Sequence, residues 1–145
     1  MAEPVTKEAC CADGVGKLHK VAGILIRDKK VLAVRREGKK EFITPGGGHE
    51  VGETYYQTVR REFMEEVQLP AVTGELLGVF THKAIWSDEP LMAHVYFVEA
   101  TGEPKPDNEI VEYKWLGRDF KELGLTLGSI LEEEVIPELI RRNLI

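Results

Sequence analysis

The chain has 145 residues, of which 43% are hydrophobic and 30% are charged, and its formal net charge is −6. This composition is typical of one globular domain and excludes a membrane protein, because no apolar run approaches the roughly 20 residues that a membrane helix needs. The acidic balance also excludes a nucleic-acid polymer as the partner, since that partner requires a basic face, and it favours phosphate binding through a cation.

The chain divides into a short lead-in and one domain. We expect residues 1–16 to be a flexible lead-in, because they show no sustained hydrophobic period, and residues 17–145 to form a single domain. The lead-in lacks the order of a signal peptide, which favours a cytoplasmic location. Its adjacent Cys10 and Cys11 seldom meet disulfide geometry and lack the spacing of a metal site, so we expect free thiols.

Two β-rich runs open the domain, at residues 21–27 and 31–36, and a short polar link between them predicts a hairpin. A charged loop then leads to a short extended piece at residues 42–44. We expect the three glycines at positions 46–48 to lie outside any regular element, because such a run is typical of a loop.

Residues 54–69 predict a helix with one face on the core. Its apolar residues recur at spacings of three and four, namely Tyr56, Val59, Phe63 and Val67. Thr54 or Glu53 can begin this helix and Pro70 ends it.

Three more strands are predicted after the helix, at residues 76–82, 91–100 and 110–116. Residues 127–143 have helical spacing, but Pro137 predicts a kink or a split into two helices. A long helix among strands, with a second helix at the end, indicates an α/β fold with helices on both faces of a sheet. We expect a mixed sheet, because the first hairpin is antiparallel while a crossover through the helix favours a parallel neighbour.

Glu62, Glu65 and Glu66 share one surface of the predicted helix, since steps of three and four residues lie about one turn apart. Such carboxylates repel, so either one keeps its proton or a hard divalent cation neutralises the group. The glycines ahead of the helix allow close approach of a ligand, and a cation there would polarise a phosphoryl oxygen. The alternative is a solvated face, which we assign to Glu132-Glu133-Glu134, where no glycine loop precedes the charges.

The glycine loop and the helix together resemble the Nudix box, G-x5-E-x7-R-E-U-x-E-E-x-G-U with U apolar. The matching residues are Gly47, Glu53, Arg61, Glu62, Phe63, Glu65, Glu66 and Leu69, and the preceding Pro45-Gly46 is also similar to the family. The last glycine of the box is Gln68 here. That position favours a left-handed conformation, in which a residue other than glycine costs on the order of 1 kcal/mol.

The resemblance implies a Nudix-type α/β/α sandwich and a metal-dependent pyrophosphohydrolase that cleaves a nucleoside diphosphate linked to another group, such as a nucleoside triphosphate. It implies Mg²⁺ or Mn²⁺ held by Glu62, Glu65, Glu66 and Gly47, with one glutamate assisting the attacking water. Glu53 and Arg61 match a structural pair, and Arg36 matches a phosphate-contacting position. A further ligand would be Glu109 or Glu112.

Several further residues have a functional and a purely structural interpretation. We assign Gly46, Gly47 and Trp86 to substrate binding, with Trp86 stacking on a base, whereas Tyr56 is expected in the core. His49 is expected to be a solvated loop residue, and His82 and His94 to pack rather than ligate. A non-catalytic nucleotide-binding module and a hydrolase of ADP-ribose or another diphosphate remain alternatives, and a homodimer is left open.

Overall fold

The computed structural model describes residues 18–83 and 90–145. The lead-in at residues 1–16, with its two cysteines, and Trp86 lie outside the described residues. The elements in chain order are β1 Leu18–Arg27, β2 Lys30–Arg36, β3 Glu41–Ile43, β4 Gly46–Gly48, α1 Tyr55–Val67, β5 Val72–Lys83, β6 Pro90–Glu99, β7 Ile110–Leu116, a 3-10 helix Phe120–Leu123, β8 Thr126–Leu127, a π-helical segment Ile130–Val135 and α2 Ile136–Arg141.

The described strands form a mixed sheet, as predicted. Its order is β5-β6-β1-β2-β3-β8, with β4 paired to β1 and β7 paired to β2. The pairs β1 with β6 and β3 with β8 are parallel, and the other pairs are antiparallel. Helix α1 connects β4 to β5. The parallel neighbours β1 and β6 are therefore not joined by a single helix, because β2, β3, β4, α1 and β5 all lie between them in the chain.

The first hairpin is confirmed. Strands β1 and β2 are antiparallel, with Arg27 opposite Lys30. The turn between them has Asp28 at φ 50° and Lys29 at φ 61°. Two successive left-handed residues match the right-handed twist of the flanking strands, which is why such tight turns close hairpins.

The expectation that Gly46–Gly48 lie outside any regular element is wrong, because these glycines form β4. They pair with Lys20, Val21 and Ala22 of β1. Gly46 has φ 156°, and a Cβ there would overlap the carbonyl oxygen of Val21 and the backbone of Ala22. The glycine run therefore allows the chain to pass unusually close to β1, and it places the backbone next to the end of α1.

Two apolar cores lie on opposite faces of the sheet. Neighbouring residues of β2 point to opposite faces, so Leu32 joins the core that contains Phe63 of α1, while Val31 joins the core that contains Leu139 of α2. This arrangement is the predicted α/β/α sandwich. Among the helices of the described ranges, none combines the length and the apolarity that crossing a membrane requires.

Helix α1 begins and ends as the sequence indicates. Thr54 is the N-cap, and its hydroxyl accepts the Gln57 N–H at 3.1 Å while the Gln57 side chain accepts the Thr54 N–H at 2.8 Å. This reciprocal capping satisfies two N–H groups that a helix start leaves unpaired. Phe63 is fully buried, whereas Tyr56 is only partly buried and packs edge-on against Tyr96.

The second helical region is not divided at Pro137, because Val135 and Ile136 keep helical φ and ψ, although its hydrogen-bonding pattern changes just ahead of this proline. The π-helical segment Ile130–Val135 leads directly into α2, and Pro137 lies in the first turn of α2. The N–H of Ile136 donates to the carbonyl of Leu131, five residues earlier, so a π-type turn lies directly ahead of the proline, which has no N–H to donate.

We expect Gln68→Gly to stabilise the protein. Gln68 ends α1 with φ 56° and ψ 37°, and a side chain disfavours this left-handed conformation. The glycine variant should raise the free energy of unfolding by about 1 kcal/mol, measured by chemical denaturation. Gln68→Ala retains the Cβ and should give no such gain, and an equal gain in both variants would contradict this explanation.

Candidate active site

Two glutamates of α1 are buried against the glycine strand β4. Glu62 is 8% exposed and Glu66 is 5% exposed. Glu66 accepts the N–H of Gly46 at 3.0 Å. The Glu62 carboxylate occupies the space that a Cβ on Gly47 would fill. Because residues four apart lie on one helical surface, α1 delivers both carboxylates to the same short stretch of backbone.

Glu65 occupies a more exposed position on the same helix. Its side chain is 49% exposed, and its carboxylate lies 3.4 Å from Nη1 of Arg61. The three predicted glutamates thus share one region of α1, but two of them meet β4 and the third faces solvent.

Arg61 ties the loop before α1 to the carboxylates. Its Nε donates to Glu53 at 2.7 Å, its Nη1 donates to Glu62 at 2.9 Å, and its Nη2 donates to the Gly48 carbonyl at 3.0 Å. Glu53 also accepts the Thr58 hydroxyl at 2.8 Å. The structure therefore brings together the residues that the sequence suggests as a structural pair, and it adds Glu62 to them.

We expect Glu53→Gln to destabilise the protein in a pH-dependent way. Hydrogen bonds from Arg61 lower the pKa of Glu53 from its ordinary value of 4.5. A pKa lowered by folding contributes stability above the unfolded-state pKa, and this contribution is lost as the pH falls. The variant should lower the free energy of unfolding by about 2 kcal/mol at pH 7, and this difference from the wild type should begin to shrink near pH 4.5 and disappear only as the pH falls through the lowered pKa of the folded state. A gap that is constant with pH would contradict this account.

Arg36 connects Glu66 to a second acidic residue. Its Nη2 lies 3.2 Å from Glu66 and also donates to the Gly46 carbonyl, while its Nη1 lies 2.5 Å from Glu109. Glu112 instead pairs with Arg35 at 2.6 Å. Of the two candidates for a further ligand, Glu109 is therefore the one linked to the buried carboxylates.

The buried carboxylates carry an electrostatic cost. Burial raises the pKa of Glu62 and of Glu66, and the charges of Arg36 and Lys20 only partly offset this for Glu66. Burial in turn lowers the pKa of Lys20, against the opposing effect of Glu66. Sequence reasoning missed Lys20, because a lysine in an apolar strand has no local signal that places it beside two glutamates of a distant helix.

Comparison with known proteins decides the family. A family model described as the NUDIX domain matches residues 17–137. The chain belongs to the Nudix family of hydrolases. An ADP-ribose pyrophosphatase of Methanocaldococcus jannaschii is 41% identical to this Nudix chain over 64 residues, which cover 42% of the chain and 38% of the relative.

Further similarities agree with this membership. A MutT-like protein of Streptomyces ambofaciens is 31% identical over 101 residues, which cover 68% of the Nudix chain and 63% of that relative. The chain thus spans less than two thirds of the length of either curated relative. The solved structure of a MutT protein from Methanosarcina mazei has a TM-score of 0.73 at 24% identity, covering 88% of this chain and 95% of that one, which shows the same fold.

The donor chemistry of the Nudix box suits a hard divalent cation, although the side chains are not gathered around one. Among residues 18–83 and 90–145, no three His, Cys, Asp or Glu side chains form a metal-binding group. Burial raises the pKa of Glu62 and Glu66, so a cation there would offset the cost of keeping these carboxylates ionised. To share such an ion, Glu65 would have to turn towards Glu62 and Glu66, whose carboxylates are held in place by Arg61 and Arg36.

Of the three histidines considered, His94 packs as predicted, whereas His49 is partly buried against Tyr55 and is not the solvated loop residue that was expected. His94 packs against Tyr55 at 4.4 Å between ring centroids, and His49 lies edge-on to the same ring. His82 bridges Ser129 and Glu134. The assignment of all three residues 132–134 to a solvated face is therefore wrong for Glu134, because a histidine from β5 comes within hydrogen-bonding distance of it.

Proposed function

We propose that this Nudix chain hydrolyses a phosphoric anhydride bond in a nucleoside diphosphate linked to another group, with Mg²⁺ or Mn²⁺ as cofactor. The observation that supports the proposal is the burial of Glu62 and Glu66 against β4. Two acidic side chains next to close-packed glycine backbone form an oxygen-rich site that a cation and phosphate oxygens complement. A charge run on a solvated helix face would not have this burial.

The residues of the chain have distinct roles in this proposal. Glu62, Glu65 and Glu66 hold the cation, whose positive charge polarises a phosphoryl oxygen of the substrate when it is bound. One of these carboxylates accepts the proton of the attacking water. Arg36, freed from Glu66, donates to phosphate oxygens, a task that suits the fork of donors on a guanidinium.

The backbone around β4 contributes to the same site. Gly46 and Gly47 have no side chains, so β1 and the Glu62 carboxylate pack directly against the main chain of β4, where the Gly47 carbonyl is the proposed backbone ligand. Glu53 and Arg61 fix the loop relative to α1. We assign Trp86 to stacking on the base, and Glu109 to the role of the further ligand.

The class of substrate is suggested by the relatives. One of them is named an ADP-ribose pyrophosphatase and another is named MutT-like. Both names are compatible with a nucleoside diphosphate joined to a sugar or to a further phosphate. We place the whole activity in a single domain at residues 17–145.

A substrate panel tests the proposal. Purified protein is incubated with Mg²⁺ or Mn²⁺ and nucleoside triphosphates, ADP-ribose or nucleotide sugars, and the products are separated by anion-exchange chromatography. We expect cation-dependent cleavage of at least one compound and none in the presence of a chelator. Calorimetry on the same panel identifies the alternative, because binding of a nucleotide without turnover would indicate a non-catalytic module.

A further inference from the structure

A small cavity beside β1 adjoins the proposed active site. It encloses about 30 Å³, which is room for about one water-sized group. Its wall is largely apolar, and the polar side chains among its lining residues are Lys20, Thr44, Lys83 and Ser129. Ala22, which also lines the cavity, is paired in the sheet with Gly46, whose N–H Glu66 accepts at 3.0 Å. A group attached to a diphosphate at the cluster is therefore close to the cavity.

Two hydrogen bonds link Ser129 to His82 and His82 to Glu134, and neither His82 nor Glu134 is among the lining residues of the cavity. Nδ1 of His82 lies 3.0 Å from Oγ of Ser129, and Nε2 of the same ring lies 2.7 Å from a carboxylate oxygen of Glu134. His82 is largely buried, with 15% of its side chain exposed. These contacts join β5 to the segment that leads into α2, and they fix the side chain of Ser129, a residue that lines the cavity.

The direction of these two hydrogen bonds determines whether the Ser129 hydroxyl donates to a ligand or accepts from it. An ionised Glu134 only accepts hydrogen bonds, so Nε2 of His82 carries the proton that faces it. In a neutral imidazole the other nitrogen, Nδ1, is then an acceptor. With His82 in this tautomer, the hydroxyl of Ser129 would donate to Nδ1, and its oxygen would keep lone pairs for a group in the cavity.

We propose that Ser129 is a specificity-determining residue that accepts a hydrogen bond from a donor on the substrate, and that His82 and Glu134 are positioning residues that orient its hydroxyl. The proposal rests on the proposed function. The donor that fits is the exocyclic amino group of a nucleobase, which is about the size of a water molecule. Lys20 and Lys83 complement it by donating to an acceptor on the same ring, such as a nitrogen or a carbonyl oxygen.

The proposal is tested by removing the Ser129 hydroxyl and the substrate amino group separately and together, as in a double-mutant cycle. ATP, GTP and CTP are each compared with the analogue that lacks the exocyclic amino group, and kcat/KM and the calorimetric Kd are measured for the wild type and for Ser129→Ala. For the preferred base, Ser129→Ala should reduce the discrimination between the nucleotide and its analogue by about three- to tenfold, the effect of one hydrogen bond. Loss of the hydroxyl should leave the analogue itself almost unaffected.

Matched variants on the helical segment separate positioning from stability. Glu134→Gln removes the fixed acceptor for His82 and should weaken the same discrimination, whereas Glu133→Gln changes the same charge at an exposed neighbour and should not. In the Ser129→Ala background, His82→Gln should have no further effect on discrimination. If His82 only stabilised the fold, His82→Gln would have the same effect with or without the Ser129 hydroxyl.

The outcomes distinguish this proposal from the proposed function. Binding that discriminates through Ser129 in a protein without turnover would overturn only the proposed hydrolysis. Turnover in which Ser129→Ala slows each nucleotide and its analogue equally would overturn the role of Ser129. Activity or binding restricted to bases without an exocyclic amino group would also overturn it, as would the absence of any nucleotide binding.

Discussion

Replacing Glu66 with glutamine should lower kcat/KM by about 100-fold or more while leaving the fold intact. Glu66 is buried, accepts the Gly46 N–H and lies beside Arg36. Glutamine has nearly the same shape and its carbonyl oxygen can still accept that N–H, but it removes the charge that would hold a cation. The steady-state rate on the substrate found by the panel measures this loss.

Glu66→Gln should lose activity without losing stability. Because burial raises the pKa of Glu66, its ionised form is disfavoured in the folded protein without metal. Glu66→Gln should therefore keep or increase the melting temperature above neutral pH, where the wild type is most fully ionised. Glu133→Gln, at an exposed site, is the control for both readouts. A loss of activity that follows a loss of stability would contradict a direct role of the charge.

Local signals were sufficient to predict α1 and its ends. Thr54 has a side chain that caps a helix, the apolar spacing of Val59, Phe63 and Val67 follows the helical period, and Pro70 lies just beyond the end. The departure at Gln68 was also readable, and the residue has the left-handed conformation that a glycine would favour. These features depend on neighbours within a few positions of the chain.

Contacts between distant segments were not readable in the same way. The glycines of β4 look like a loop, because their pairing depends on the approach of β1 and not on their own preferences. Helical spacing placed Glu65 with Glu62 and Glu66, but only packing against β4 decides which two are buried. Similarly, nothing near His82 in the chain indicates that it meets Glu134, since the contact joins residues 52 positions apart.

Gly47→Ala should reduce activity by displacing Glu62. It tests how much activity depends on the close approach of Glu62 of α1 to the backbone of β4. The added Cβ would overlap the Glu62 carboxylate, lying 2.5 Å from its Cδ and 2.7 Å from its Oε2. The carboxylate is the flexible end of a side chain, so it would move and break its contact with Arg61. We expect kcat/KM to fall about tenfold to 100-fold, with weaker Mn²⁺ binding in a calorimetric titration.

Gly48→Ala is the matched control for this prediction, because it makes the same change one residue further along the strand. A Cβ on Gly48 would have no heavy atom within 4 Å among those of the described residues, so activity and Mn²⁺ affinity should stay within about twofold of the wild type.

In Glu62→Asp the shorter side chain leaves room for the methyl group that Gly47→Ala adds. Adding Gly47→Ala to that variant should therefore cost much less than it costs the wild type, since two changes acting on one contact are not additive. Equal losses in both backgrounds would show that Gly47 acts through the backbone and not through Glu62.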